Sequence, residues 1–153
     1  MSHARIQIRD ALVLLLGALT TTGANVFTER PETFRIADNR LPALLVTLEG
    51  EELQALQMSF PPLIEHRLDV VLVGVAKAAA DVHETLDAIY ADVDAALFAS
   101  TTTATLTARL KNLEWTRIDP IELDATLEKP VGRIWMRLTA TYHTAAGAPQ
   151  TLL

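Results

Sequence analysis

Residues 68–98, LDVVLVGVAKAAADVHETLDAIYADVDAALF, change their hydrophobic period from about two to about 3.6 without a break. From Leu68 to Val75 the side chains alternate between two faces, as they do along a pleated strand. After a short link at Lys77 to Ala80, apolar residues recur on one stripe of a helix, with Asp81 and Glu84 spaced as a capping box at its start. The stripe comprises Val82, Leu86, Ile89, Tyr90, Val93 and Leu97. A strand of a sheet is therefore expected to lead into a helix that lies back on that sheet.

An amphipathic helix is predicted near the N-terminus, where apolar residues form one continuous stripe that Gly23 ends. The stripe consists of Ile8, Ala11, Leu12, Leu15 and Leu19. Arg5 and Arg9, which precede this apolar run, superficially resemble the start of a signal peptide. We reject that interpretation because Asp10 sits directly against the run, and because the run is shorter than the ~20 residues that span a bilayer. No membrane segment is expected here.

The remaining segments are short and predict strands joined by turns. Leu41 to Leu48 is expected to be a strand, and Glu49 to Pro62 a turn that leads to the next strand near Ile64. Further strands are predicted at 25–28, at 34–36 within a loop over 29–40, and at 106–110, 113–117, 121–125 and 134–142. The predicted fold class is α+β, with one mainly antiparallel or mixed sheet packed against two main helices. One domain is expected over 1–153, with a loose C-terminal tail at 145–153.

The composition limits both fold and function. A chain of 153 residues has room for one domain with a hydrophobic core of its own. Its 13 basic and 19 acidic residues give a net charge of −6, so tight non-specific binding to DNA or to an anionic membrane is not expected. The chain contains no cysteine, which rules out disulfides and thiolate metal ligands.

Few groups in the sequence are arranged for catalysis or for metal binding. His83 and Asp87 are one helical turn apart, but we interpret them as part of a solvated helix face rather than as metal ligands. No serine stands in a nucleophile elbow, and the isolated glycines do not form a phosphate-binding loop. Glu122 and Asp124 share one face of a strand without the contrast in environment that an acid–base pair needs. We therefore expect no catalytic residue, no metal site and no cofactor.

The first helix carries a candidate contact surface. Ile6, Val13 and Leu14 lie outside its main stripe, so the helix has more apolar surface than one sheet covers. A second subunit would bury this excess. The alternative is that a loop such as 29–40 covers it within one chain.

The second helix carries another candidate contact surface. Ala88, Ala91 and Ala95 form a strip of small residues opposite the predicted core face. Such a strip allows another helix to approach closely. Alanine is also simply a strong helix former, which is the alternative explanation.

Acidic residues are concentrated in two clusters. The second helix carries Asp81, Glu84, Asp87, Asp92 and Asp94, with no basic residue between them. The other cluster consists of Glu114, Asp119, Glu122, Asp124 and Glu128, offset only by Arg117. Surfaces of this kind repel a polyanion, although a solvated surface that confers solubility is the ordinary alternative.

Several short motifs along the chain resemble one family of phage proteins. In the first half they are Arg5-Ile6, Ala11-Leu12, Thr22-Gly23-Ala24-Asn25-Val26, Arg40-Leu41-Pro42-Ala43-Leu44 and Val75-Ala76-Lys77-Ala78. In the second half they are Leu113-Glu114-Trp115-Thr116, Pro130-Val131-Gly132 and Tyr142-His143-Thr144. The pattern covers nearly the whole chain and is similar to the minor tail proteins of long-tailed bacteriophages (siphoviruses), specifically to the tail terminator, or tail-completion, family.

This resemblance implies a structural virion protein rather than an enzyme. Members of the family have a small α/β fold and form a ring, usually of six copies, that caps the head-proximal end of the tail tube, stops tube polymerisation and offers a surface for head–tail joining. The implied partners are other copies of the chain, the tail tube protein and the head–tail connector, with DNA passing through unbound. In such a ring the two helix surfaces would form subunit contacts, and Glu122 and Asp124 would face the lumen. The implied location is the virion tail, after synthesis in the host cytoplasm.

Three other functions remain open at this point. A head-side neck or connector protein also forms rings and also lacks catalytic residues. A small-molecule binding module could use the sheet and a helix as the walls of a pocket. An enzyme is the least favoured, because the residues offer no catalytic group.

Overall fold

Two helices lie on one face of a six-stranded sheet in the computed structural model, which describes residues 3–57, 59–99, 110–124 and 130–153. In chain order the elements are α1 (Ala4–Leu16), β1 (Val26–Phe27), a 3-10 turn (Asp38–Arg40), β2 (Ala43–Ala55), β3 (Leu63–Lys77), α2 (Val82–Phe98), β4 (Asn112–Ile118), β5 (Glu122–Asp124) and β6 (Val131–Ala145). This arrangement confirms the predicted α+β class with a mixed sheet.

The strand order is β1-β2-β3-β6-β4, and β5 also pairs with β6. β1 runs parallel to β2, whereas every other described pair is antiparallel. β3 is the central strand and pairs with β6 from Leu63 to Lys77, its whole length. On the other edge of β6, β5 pairs with residues 131–133 and β4 with residues 136–141. The long β3–β6 pair is therefore the platform on which the other elements are placed.

The main core lies between this platform and the two helices. Each helix buries one stripe against the sheet, formed by Ala4, Ile8, Leu12 and Leu16 of α1 and by Val82, Leu86, Ile89, Val93 and Leu97 of α2. Gly74 in β3 allows α2 to pack this closely, because a Cβ at that position would lie 2.8 Å from Cγ2 of Ile134 and 3.1 Å from Cγ2 of Ile89. The predicted return of α2 onto the sheet after β3 is thus observed.

A smaller core covers part of the opposite face of the sheet. Phe34 is buried there with Leu45 and with Val71, Val73 and Val75 of β3, and Trp135 of β6 packs at its margin. The guanidinium of Arg40 lies over the ring of Phe34 at 4.5 Å from its centroid and forms an ion pair with Glu29. The loop over 29–40 therefore uses its apolar side chains on this second face.

One predicted helix boundary and one predicted helix cap are wrong. α1 ends at Leu16 with Gly17 as its C-cap, not at Gly23. The backbone N–H and the hydroxyl of Thr21 both donate to Asp92 Oδ2, at 2.9 and 2.7 Å, and these bonds hold the chain to α2 in a non-helical conformation. At the start of α2, Asp81 is the N-cap residue, but its side chain makes no capping hydrogen bond. Its ψ of 18° departs from the extended conformation that a side-chain cap normally requires.

The strand β2 is longer than predicted. Residues Glu49 to Ala55, expected to be a turn, continue to pair with β3 after a bulge between Leu48 and Glu51. The N–H of Leu56 then donates to the carbonyl of Leu63 at 2.8 Å and closes the hairpin. Pairing with β3 outweighs the weak strand propensity of this glutamate-rich stretch. The strands predicted at 106–110 and 121–125 fall partly outside the described residues.

The end of the chain is held by hydrogen bonds. Ala145, the first residue of the expected loose tail, is the last residue of β6. Beyond it, the carbonyl of Pro149 accepts from the N–H of Ala4 at 2.9 Å, and the N–H of Leu153 donates to the carbonyl of His143 at 3.0 Å. Leu152 packs against the main core. These contacts join the last residues to the start of α1 and to β6.

Candidate assembly surfaces

The candidate surface on α1 is reduced to one strongly exposed side chain. Leu14 is 84% exposed, whereas Ile6 and Val13 are each only partly exposed. Val13 packs against the margin of the main core, which accounts for its apolar character without a partner. A lone exposed leucine is ordinary on a protein surface, so Leu14 supports a contact only together with its neighbours.

The alanine strip of α2 lies on the same outer layer. Ala91 and Ala95 are exposed and Ala88 is partly exposed, all on the side of α2 away from the core stripe. The bond from Thr21 to Asp92 connects this helix to the segment after α1. The helix layer therefore presents small and apolar side chains outward, and a subunit contact through them stays a prediction.

Several acidic residues of the two clusters have structural partners. In α2, Asp92 accepts from Thr21, and Asp94 Oδ1 accepts from Trp115 Nε1 at 2.7 Å. In the other cluster, Oδ1 of Asp119 lies 2.5 Å from Nε of Arg117, and Oδ2 of Asp119 lies 3.2 Å from Nε of Arg137. These carboxylates hold helix and strands together, so they are not simply a repulsive surface.

Glu122 and Asp124, the candidate lumen residues, flank an arginine that sequence spacing did not reveal. Arg133 Nη1 lies 3.7 Å from Glu122 Oε1 and 3.6 Å from Asp124 Oδ2. The pairing of β5 with β6 sets Glu122 directly opposite Arg133. Arg117 is therefore not the only basic residue that offsets this cluster. A lumen position for the two carboxylates stays a prediction.

The sequence pattern did not predict an apolar projection at the hairpin between β2 and β3. Leu53, Leu56 and Phe60, here called the apolar tip, are 64%, 42% and 96% exposed. A sequence signal did exist, because residues 53–64 contain no charged side chain although 21% of the chain is charged. Large apolar side chains exposed on one hairpin make it a candidate interaction site.

A hollow of about 330 Å³ lies at the other end of the same two strands. It is lined by Leu41 and Pro42 before β2, by Ala76 and Lys77 at the end of β3, and by Ala79, Asp81 and Thr85 at the start of α2. The size falls at the low end of the range for ligand pockets. The hollow is open, and its lining includes one basic and one acidic side chain, Lys77 and Asp81.

A buried polar cluster joins β2, β3 and β6 beneath the start of α1. Tyr142 is fully buried, and its hydroxyl donates to Glu51 Oε2 at 2.7 Å. The ring of His66 stacks on that of Tyr142 with centroids 4.4 Å apart, and His66 Nε2 lies 2.7 Å from Thr144 Oγ1. His66 Nδ1 is 3.7 Å from Glu51 Oε1, too far for a hydrogen bond. The cluster links side chains of β2, β3 and β6.

Burial dominates the electrostatics of this cluster. It lowers the pKa of His66 below its ordinary value of 6.5, and the nearby carboxylate of Glu51 opposes this shift only in part. Burial and the bond to Glu51 both raise the pKa of Tyr142, which keeps its phenol protonated. The folded state therefore favours neutral His66, and protonation of His66 favours unfolding.

Acidification should therefore cost this protein stability through His66. Below about pH 6.5 the unfolded chain binds a proton at His66, whereas the folded chain does not until the pH falls to its lower pKa. Between these two pKa values the free energy of unfolding falls by up to about 1.4 kcal/mol for each pH unit of acidification. Urea unfolding at pH 7.5 and pH 5.5 measures the loss. Between these two pH values the free energy of unfolding should fall less in His66→Gln than in the wild type. In the control His83→Gln, at an exposed position, it should fall as much as in the wild type. Equal losses in all three proteins would contradict the role of His66.

Within the described residues, no three histidine or carboxylate side chains come together in a way that could hold a metal ion. None of the helices in that part of the chain is both long and apolar enough to cross a membrane.

Comparison by structure finds a similarity that comparison by sequence does not. The sequence matches no model of a protein family and no characterised protein. The fold is similar to that of a chain in the virion of a native gene transfer agent particle, with a TM-score of 0.52 and 17% sequence identity. The match covers 90% of this chain and 95% of that chain. At this level of identity the likeness shows a shared fold over nearly the full length of both chains.

Proposed function

We propose that this chain is a structural protein of a phage-like virion, where copies of it form a ring that caps the head-proximal end of the tail tube. The observation that carries the proposal is the full-length fold likeness to a chain of a gene transfer agent virion. The motifs that resemble tail terminator proteins favour the position at the tube end over others in the particle. No covalent chemistry is part of this function.

The surfaces of the described residues support a role in assembly. The apolar tip and Leu14 expose large apolar side chains at separate places on the molecule. A ring of identical subunits needs two different surfaces that complement each other, because each copy contacts the next head to tail. Once closed, the ring would offer one face to the tail tube protein and the other to the head connector, so tube growth would stop there while the head could join. DNA would pass through the lumen without being held.

The decisive experiment is electron microscopy of particles made without this protein. Loss of the cap should leave tails of uncontrolled, excessive length or tails without heads, because nothing stops polymerisation or offers a joining surface. Restoring the wild-type protein should return the tails to uniform length. Normally sized tails joined to heads in its absence would overturn the proposal.

The same fold likeness also fits a neck protein on the head side, since a virion contains rings at both positions. The microscopy separates the two functions. Full-length, unjoined tails together with heads that lose their DNA would indicate a neck protein, whereas overlong tails would indicate a terminator.

A further inference from the structure

The apolar tip and the hollow lie at opposite ends of the same pair of strands. β3 begins at Leu63, directly after the tip, and ends at Lys77, which lines the hollow. A strand rises about 3.3 Å per residue, so the 15 residues of β3 separate the two features by roughly 46 Å. The tip therefore cannot reach the hollow of its own chain. A second copy of the chain can bring one to the other.

We propose that Phe60 at the hairpin tip of one copy inserts into the hollow beside Leu41 and Ala79 of the next copy. The inference rests on the proposed ring and names one of its contacts. Tip and hollow are different surfaces, so the contact is head to tail, and repetition gives a closed ring when the rotation per copy fits. Phe60 is the natural insert because it is 96% exposed and is the largest side chain of the tip.

Charge favours a second copy as the occupant. Each copy carries a net charge of −6, so two copies repel one another unless they meet where charge is absent or balanced. The tip lies in the uncharged stretch 53–64. The border of the hollow carries Lys77 and Asp81, whose charges are opposite. Docking the tip there brings no like charges together.

The insertion acts as an anchor rather than as the whole interface. A buried aromatic side chain removes about 150–250 Å² from water, whereas a stable interface buries roughly 800 Å² on each partner. Interfaces usually contain a central aromatic anchor in a pocket, surrounded by contacts of smaller effect. Leu56, at the end of the hairpin, would add to the anchor, and the helix layer around Leu14 could supply part of the remainder.

The absence of cysteine permits a direct test by disulfide trapping. Two single variants, Phe60→Cys and Ala79→Cys, are mixed in equal amounts and oxidised mildly at about 1 mM protein, where even a contact with a Kd of 1 mM is substantially populated. The mixture should give a covalent dimer that neither variant gives alone. Carrying both substitutions in one chain should give a ladder of oligomers. Phe60→Cys mixed with Lys111→Cys is the control and should not cross-link, because exposed Lys111 bonds to Thr141, ten residues along β6 from the Val131 that pairs with Lys77 at the hollow.

Three outcomes would overturn the inference. The first is a dimer of Phe60→Cys alone, which would mean that tips contact tips. The second is the absence of a dimer in the mixture of Phe60→Cys and Ala79→Cys. The third is that Phe60→Cys cross-links to Lys111→Cys as efficiently as to Ala79→Cys. A second measurement does not depend on oxidation. In sedimentation equilibrium Phe60→Ser should weaken self-association at least about 10-fold, whereas Gln57→Ser should not. Unchanged association of Phe60→Ser would also contradict the inference.

Failure of this contact can be distinguished from failure of the proposed function. Rings that assemble and cap tails normally with Phe60→Ser would overturn the tip contact and leave the capping function intact. Conversely, tails that are normal without the protein would overturn the capping function even if cross-links form. The fold of Phe60→Ser is checked by circular dichroism, which should be unchanged because Phe60 is almost fully exposed.

Discussion

Replacing Gly74 with valine is expected to lower the free energy of unfolding by about 3 kcal/mol. The Cβ alone would lie 2.8 Å from Cγ2 of Ile134 and 3.1 Å from Cγ2 of Ile89, closer than side chains normally approach. The two extra methyl groups of valine would have to displace α2 from the β3–β6 pair. Chemical denaturation followed by circular dichroism measures the loss.

Gly50 provides a matched control for this substitution. It also lies in a strand, β2, but a Cβ there would meet no atom within 4 Å. Gly50→Val should therefore leave the free energy of unfolding within about 0.5 kcal/mol of the wild type. If Gly74→Val were as stable as Gly50→Val, the close packing of α2 on the sheet would be refuted.

Replacing Leu12 with alanine should cost about 2–5 kcal/mol of stability, because Leu12 is fully buried between α1 and the sheet. The loss combines the transfer of apolar surface and the cavity that the shorter side chain leaves. Leu14 lies two residues further along the same helix and is 84% exposed. Leu14→Ala should therefore change stability by less than about 0.5 kcal/mol. Urea denaturation of both variants provides the comparison.

This pair of leucines also separates folding from assembly. If Leu14 contributes to a subunit contact, Leu14→Ala should reduce self-association while the monomer keeps its stability. Equal destabilisation by the two substitutions would contradict the orientation of α1. Unchanged self-association of Leu14→Ala would remove Leu14 from the candidate contacts.

The parts of the fold that could be predicted are those in which local pattern and tertiary packing agree. The apolar residues that the two periods place on one face of β3 and on one stripe of α2 are buried in the structure. The junction between strand and helix was therefore predictable. β6 alternates from Ile134 to Tyr142 in the same way and was also predicted. In each of these elements a run of seven or more residues follows one period.

The parts that could not be predicted depend on partners distant in sequence. β2 continues to Ala55 because β3 pairs with it, and α1 ends at Leu16, ahead of the segment that Thr21 bonds to Asp92. The candidate site shows the same limit. Arg133 balances Glu122 and Asp124 only because of the register of β5 with β6. The hairpin tip is not predicted because Gly50 and the Pro61-Pro62 pair indicate a turn, although the uncharged stretch 53–64 marks it in the sequence.

The two faces of the sheet each hold one tryptophan. Trp115 packs on the helix side, edge-on to Tyr90 with ring centroids 5.5 Å apart, and Trp135 lies at the margin of the smaller core around Phe34. The protein thus contains two intrinsic fluorophores that sit in separate compartments. Emission from either one, isolated by replacing the other with phenylalanine, reports whether the layer beneath the helices and the layer beneath the loop melt together or in turn.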